Sequence, residues 1–143
     1  MTTRYHQDIV AWANEQAALL RSGMLSAIDI ENIAEEIEDV GKSEQRELAS
    51  RMVVLLTHLL KWQIQPERRG ASWQRTIKEQ RRAIVIALRK TPSLRNSLSD
   101  PDWMTGVWAD TVSRVIEETG FAELPEASPW TMEQALADGV FPD

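Results

Sequence analysis

Residues 30–63 read IENIAEEIEDVGKSEQRELASRMVVLLTHLLKWQ, and this stretch decides the architecture. At about 100° per residue, Ile30, Ile33, Ala34, Ile37, Val40, Leu48, Met52, Leu55, Leu59 and Trp62 fall within a sector of about 120° on a helical projection. That phase runs through Gly41 without a break. A glycine inside a helix costs only about 1 kcal/mol relative to alanine, so one long helix from Ile30 to Gln63 is expected rather than two joined by a turn. From Met52 to Leu60 apolar side chains cover almost the whole circumference, the pattern of a helix central to its bundle or shared with another subunit.

Working outward, no segment shows a sustained period of two, while helical spacing of apolar residues recurs nearly throughout. Upstream, a helix is expected from about Tyr5 to Arg21, burying Ile9, Trp12, Ala13, Leu19 and Leu20, with Gly23 after its end and Asp29 as the N-cap of the long helix. Downstream, Ser72 can cap a third helix to about Lys90, with Trp73, Ile77, Ile84 and Leu88 forming its apolar stripe. Pro92 opens a short turn of helix. Asp100 and Pro101 then start another helix that buries Val107, Trp108, Val112 and Val115 and ends at Gly120. Ser128 and Pro129 repeat the device before a last short helix. The expectation is an all-α protein: one domain over residues 1–143, an irregular bundle of about four to six helices around the long central one, with Trp62, Trp73 and Trp108 as anchors. A chain of this length buries roughly 68–70% of its unfolded surface, enough to fold without staples.

Charge is distributed unevenly. Lys61 to Arg95 carries ten of the sixteen basic residues and only two acids, Glu67 and Glu79, in a chain whose formal net charge is -6. Such asymmetry means that the two regions face each other or that one faces a charged partner. Arg75, Lys78, Arg82 and Arg89 line the side of the third helix opposite its apolar stripe, and Val85 and Ile86 flank them. That flank is odd for a purely hydrated face. It points to something anionic covering the stripe: an acidic protein surface or a second copy of the chain, with nucleic acid as the rival partner and Trp62 or Trp73 available to stack on a base.

Several chemistries are excluded or weakened. The absence of cysteine removes thiol catalysis, thiolate zinc sites and disulfides, and accords with a cytoplasmic location. The N-terminus has no basic leader followed by an apolar run, and no window approaches the ~18–20 apolar residues of a membrane span, so no membrane partner is expected. There is no glycine-rich phosphate loop, nucleophile elbow or serine-histidine-aspartate order, and no cofactor is expected. Glu31, Glu35, Glu36, Glu38 and Asp39 form an acidic cluster, but most of it lies opposite the apolar sector, where charges are simply hydrated. His6 and His58 lack the preceding glutamate of a Glu-x-x-His di-iron motif, so no metal site is expected.

Glu44, Arg51 and His58, seven apart, run along one edge of the long helix's apolar stripe. Their plainer reading is a hydrogen-bonded network to a neighbouring helix, since buried polar groups need partners. Their sharper reading is that Arg51, six residues, then His58 resembles the Arg-x(4-6)-His pattern of HEPN-type ribonucleases, which are helical and dimeric. That likeness implies a metal-independent ribonuclease or nucleic-acid-binding factor, with His58 moving a proton and Arg51 holding phosphate. Met52 stands where that family more often has a polar side chain.

A second resemblance covers almost the whole chain. Asp8 with Trp12, LLRSG from Leu19, DIENIAEEIE from Asp29, GKSEQREL from Gly41, HLLKWQIQPERR from His58, SWQRTIKEQR from Ser72, TPSLR from Thr91, ETG from Glu118 and SPW from Ser128 together resemble the bacterial domain of unknown function family 29, common in cyanobacteria and proteobacteria. The likeness implies an all-helical, bundle-like domain and carries no catalytic residues with it. The function expected from the residues is therefore a non-enzymatic, cytoplasmic, self-associating protein-interaction module, with the HEPN-like activity as the alternative.

Overall fold

The computed structural model describes residues 4–143. It contains α1 (Ile9–Arg21), α2 (Ile30–Ile64), α3 (Ala71–Lys90), α4 (Arg95–Leu98), α5 (Pro101–Thr119) and α6 (Met132–Leu136), with short 3-10 turns at Leu25–Ala27, Pro66–Arg68 and Pro92–Leu94. No strand occurs among the described residues. The all-α bundle with a long central helix is the architecture the periodicity demands.

The local signals act largely as their chemistry requires. Asp29 caps α2, its carboxylate accepting from the Asn32 amide nitrogens. Asp100 accepts from the Asp102 backbone N–H at 3.0 Å, with Pro101 in the first turn where its missing N–H is no loss. Gly120 ends α5 at φ 77°, a left-handed conformation that glycine adopts without Cβ strain. Two caps differ from expectation. Gly70, not Ser72, precedes α3, and Thr131 rather than Ser128 caps α6, through a reciprocal pair of bonds with Gln134. Ser128 instead closes a tight local turn with Trp130.

Gly41 lies within α2, its φ is not positive, and an added Cβ there would meet nothing within 4 Å. Gly41→Ala is therefore expected to raise stability by about 0.5–1 kcal/mol through loss of unfolded-state entropy. Urea denaturation followed by circular dichroism would read it, and a loss of stability would contradict the continuous helix.

The chain divides into two compact units, Met1–Ser43 and Glu44–Asp143. In the second, Leu48, Met52, Leu55, Leu56, Leu59, Leu60 and Trp62 from α2 meet Ile77, Ile84 and Leu88 from α3, Leu94, and Val107, Trp108 and Val115 from α5. The all-round apolar run of α2 is thus the core. Trp62 and Trp108 are buried as anchors, but Trp73 is only half-buried, its ring lying 5.0 Å beneath the Lys61 ammonium. Trp108 reaches the C-terminal segment: its indole N–H donates to the Pro125 carbonyl at 2.9 Å, and its ring meets Trp130 edge to face. Phe141 closes over Trp62 with ring centroids 4.7 Å apart.

The first unit is an antiparallel helical hairpin. The Tyr5 hydroxyl donates to Glu36, the Trp12 indole to Asp29 at 3.0 Å, and the Asp29 backbone N–H to Gln16 Oε1 at 2.8 Å. The carboxylate of Glu36 pushes the Tyr5 hydroxyl up to about 12, since a phenol bonded to an anion loses its proton less readily. Here the expected core is not what forms. Ile9, Leu20, Ile30, Ile37 and Val40 are exposed, and only Trp12 and Gln16 are buried in α1. The apolar phase of α2 is continuous along the helix, but the contact with α1 uses the neighbouring, polar edge through Asp29 and Glu36.

Candidate interaction surface

Arg75, Lys78, Arg82 and Arg89 occupy one side of α3, and all four are exposed. Their spacing stacks them over successive turns, because residues three, four and seven apart share a helix face. None of the four makes an ion pair or a side-chain hydrogen bond among the described residues. Ile86 is half exposed beside them, and Val85 is partly covered on the other flank.

The stripe is a ridge between two clefts. One, of about 560 Å³, lies between α2 and α3 and includes Glu44, Glu47, Arg51, Arg82, Ile86 and Lys90 in its walls. The other, of about 460 Å³, lies between α3 and the C-terminal segment and includes Lys78, Arg82, Val85, Ile86, Arg89 and Asp138. Arg82 and Ile86 belong to both. A partner seated on the ridge therefore meets cations at its crest and apolar and acidic groups at its sides.

The three residues spaced by seven on α2 separate. Glu44 and Arg51 share the α2–α3 cleft, but His58 is not part of it. The guanidinium of Arg51 pairs with Glu47 one turn back, at 3.4 Å. His58 Nδ1 lies 2.8 Å from the Val54 carbonyl, so Nδ1–H donates and Nε2 remains the basic nitrogen. Among the described residues no hydrogen bond or ion pair crosses from either to a neighbouring helix, and the two share no such partner. Burial lowers the His58 pKa below its usual value, Lys61 and Arg114 lower it further, and the Val54 bond and Glu118 partly oppose this. The folded state thus favours neutral imidazole. The resulting stability is present above the unfolded value near 6.5 and is lost as pH falls through the lower folded one. Proton NMR of the two histidine rings, His6 and His58, is expected to show His58 titrating below 6.5; a midpoint above that value would contradict the burial.

Two polar arrangements escape the sequence reading. Lys61, in α2, pairs with Glu118, in α5, at 2.8 Å, and Arg114 adds a second bond to the same carboxylate at 3.2 Å. These bonds, the Lys61 bond foremost, hold Glu118 below the usual carboxylate range. Arg81 is buried, its Nε–H donating to the Ala135 carbonyl at 2.8 Å and its guanidinium lying over Phe141 at 5.8 Å. Desolvation pulls its pKa down, with Asp138 opposing. Its position was legible in principle: Arg81 stands four residues after Ile77 and three before Ile84, inside the apolar stripe rather than on the basic one. Arg81 therefore anchors the C-terminal segment and leaves the exposed stripe to the other four cations.

Among the described residues, no three His, Asp or Glu side chains converge as metal ligands. No helix among them is long and apolar enough to cross a membrane. No curated protein and no solved structure matches the chain. The family described as Domain of unknown function DUF29 matches residues 4–141, nearly the whole chain, and the protein belongs to that family.

Proposed function

We propose that the protein is a cytoplasmic interaction module whose α3 ridge docks an acidic polypeptide surface, on another protein or on a second copy of the chain, and that it makes and breaks no covalent bond. The observation that carries this reading is the row Arg75, Lys78, Arg82 and Arg89, exposed and without ionic partners among the described residues, beside the exposed Ile86. Four neighbouring cations repel one another, and an anionic surface relieves that repulsion. Ile86 and Val85 favour polypeptide over nucleic acid, because an apolar flank contributes by being buried and a phosphate backbone offers nothing apolar to bury it. Stacking on a base has little support at this face, since Trp73 is half-buried under Lys61.

The test is fluorescence anisotropy with a labelled polyglutamate peptide and a labelled single-stranded RNA of equal charge. The protein is compared with a variant carrying Arg75→Ser, Lys78→Ser, Arg82→Ser and Arg89→Ser. Exposed charge pairs contribute about 0.2–1 kcal/mol each, so four together are expected to weaken peptide binding about tenfold or more. RNA bound more tightly than the peptide by the unaltered protein would transfer the ridge to nucleic acid. The HEPN-like reading makes a separate claim, that the protein cleaves RNA and that Arg51→Ala and His58→Ala each abolish cleavage without unfolding the chain. It gains no support from the placement of those two residues, since His58 does not line the α2–α3 cleft that Arg51 lines, and their side chains bond the Val54 carbonyl and Glu47 respectively.

A further inference from the structure

The N-terminal unit leaves most of its own apolar surface uncovered. Its helices meet through Tyr5 on Glu36, Trp12 on Asp29 and Gln16 on the Asp29 amide, while Ile9, Val10, Leu20, Ile30, Ile37 and Val40 are between 43% and 68% exposed. These side chains are not scattered. Val10, Ala13, Ala17 and Leu20 follow one another at steps of three, four and three residues, and Ile30, Ile33, Ile37 and Val40 follow the same steps. That is the a/d spacing of a helix–helix seam. In each helix the row lies on the same rotational side of the residues that touch the other helix. Because the helices run antiparallel, both rows emerge on one side of the hairpin.

We infer that this face is the contact between two copies of the chain, whose hairpins close into a four-helix bundle. The exposed parts of the six large side chains amount to on the order of 700 Å², close to the about 800 Å² that each partner contributes to a standard specific interface. A contiguous apolar patch of that size is more than a monomer normally leaves in water. Shape supports a self-complementary pairing about a two-fold axis: the small Ala13 and Ala17 of α1 give room for the branched Ile33 and Ile37 row of α2 in the other copy, and large-against-small alternation is how facing layers interdigitate. Charge permits it, because Glu31, Glu35 and Glu38 lie on the side of α2 away from the row. Size calls for it. A unit of about 40 residues is usually stabilised by disulfides, a metal or association, and this one has no cysteine and no cluster of metal-ligating side chains among its described residues.

The contact uses residues distinct from the α3 ridge, so the two readings fail separately. Light scattering of the full chain during size exclusion, at micromolar concentration, is expected to give twice the chain mass of 16.3 kDa. Ile37→Glu is expected to raise the dimer dissociation constant about a hundredfold or more, because each dimer would bury two uncompensated carboxylates. Ala13→Trp, which fills the seam from the other helix, should likewise give single chains. Both positions are exposed in the hairpin, so circular dichroism should stay unchanged in each. Glu35→Lys, on the opposite side, and the fourfold serine variant of α3 should remain dimeric. A protein of single-chain mass at these concentrations overturns the inference, as does a dimer that survives both seam variants or one that dissolves with the α3 changes. A monomer whose Ile37 face binds neutral lipid vesicles would also overturn it and assign the face to lipid.

Discussion

Replacing Trp108 by alanine is expected to lower the unfolding free energy by about 3–5 kcal/mol, the range for truncating a large buried aromatic. Against a typical total of about 5–15 kcal/mol, that is enough to shift a urea midpoint far to the left. The size follows from what the ring touches. Trp108 is buried in the α2–α3–α5 core, meets Trp130 edge to face, and holds the Pro125 carbonyl through its indole N–H. Truncation opens a cavity and releases the extended segment after α5 together. Trp108→Phe keeps one aromatic ring in the core but removes the donor and part of the indole's volume, so a smaller loss of about 1–3 kcal/mol is expected there. If alanine cost less than about 1 kcal/mol by denaturant-monitored circular dichroism, the ring would not be the anchor described.

Trp12→Ala is expected to have an effect of similar size but confined to the N-terminal unit. Among the described residues of the hairpin, Trp12 is the one buried apolar side chain, and it also bonds Asp29 and packs edge to face against Tyr5 with centroids 4.8 Å apart. The Asp29 carboxyl, held below its usual range chiefly by Asn32 and then by Trp12, loses one of its donors. A loss of about 3–5 kcal/mol exceeds what so small a unit can hold in reserve, so α1 should open locally while the core of the second unit persists. Hydrogen exchange with mass spectrometry reads this directly: amides of Ile9–Arg21 should lose protection while those of α3 and α5 keep theirs. Unchanged protection in α1 would show that the hairpin is held by something other than Trp12.

How much of this was legible in the residues differs between the two ends of α2. From Leu48 to Trp62 the apolar stripe and the core coincide, because α3 and α5 both pack on it. From Ile30 to Val40 the same stripe is just as regular, yet it is exposed. Periodicity reports which face a helix prefers to bury, and that preference says nothing about whether a second surface is present in the chain to bury it. The candidate site shows the same division. The basic row of α3 could be read from spacing alone, and so could its apolar flank. Arg81 could not be assigned from charge, since a guanidinium reads as hydrated until a carbonyl such as that of Ala135 and a ring such as Phe141 are brought to it.

Helix positions, most of their caps and the continuity through Gly41 follow from short-range chemistry: side-chain oxygens beside free amides, proline in a first turn, glycine where φ is positive. Those are settled within a few residues, and the order of amino acids is sufficient for them. Which stripe is covered, whether Arg51 and His58 meet, and what Arg81 bonds depend on groups tens of residues away in the chain. These are set by packing, because a side chain's burial is a property of whatever surface arrives opposite it.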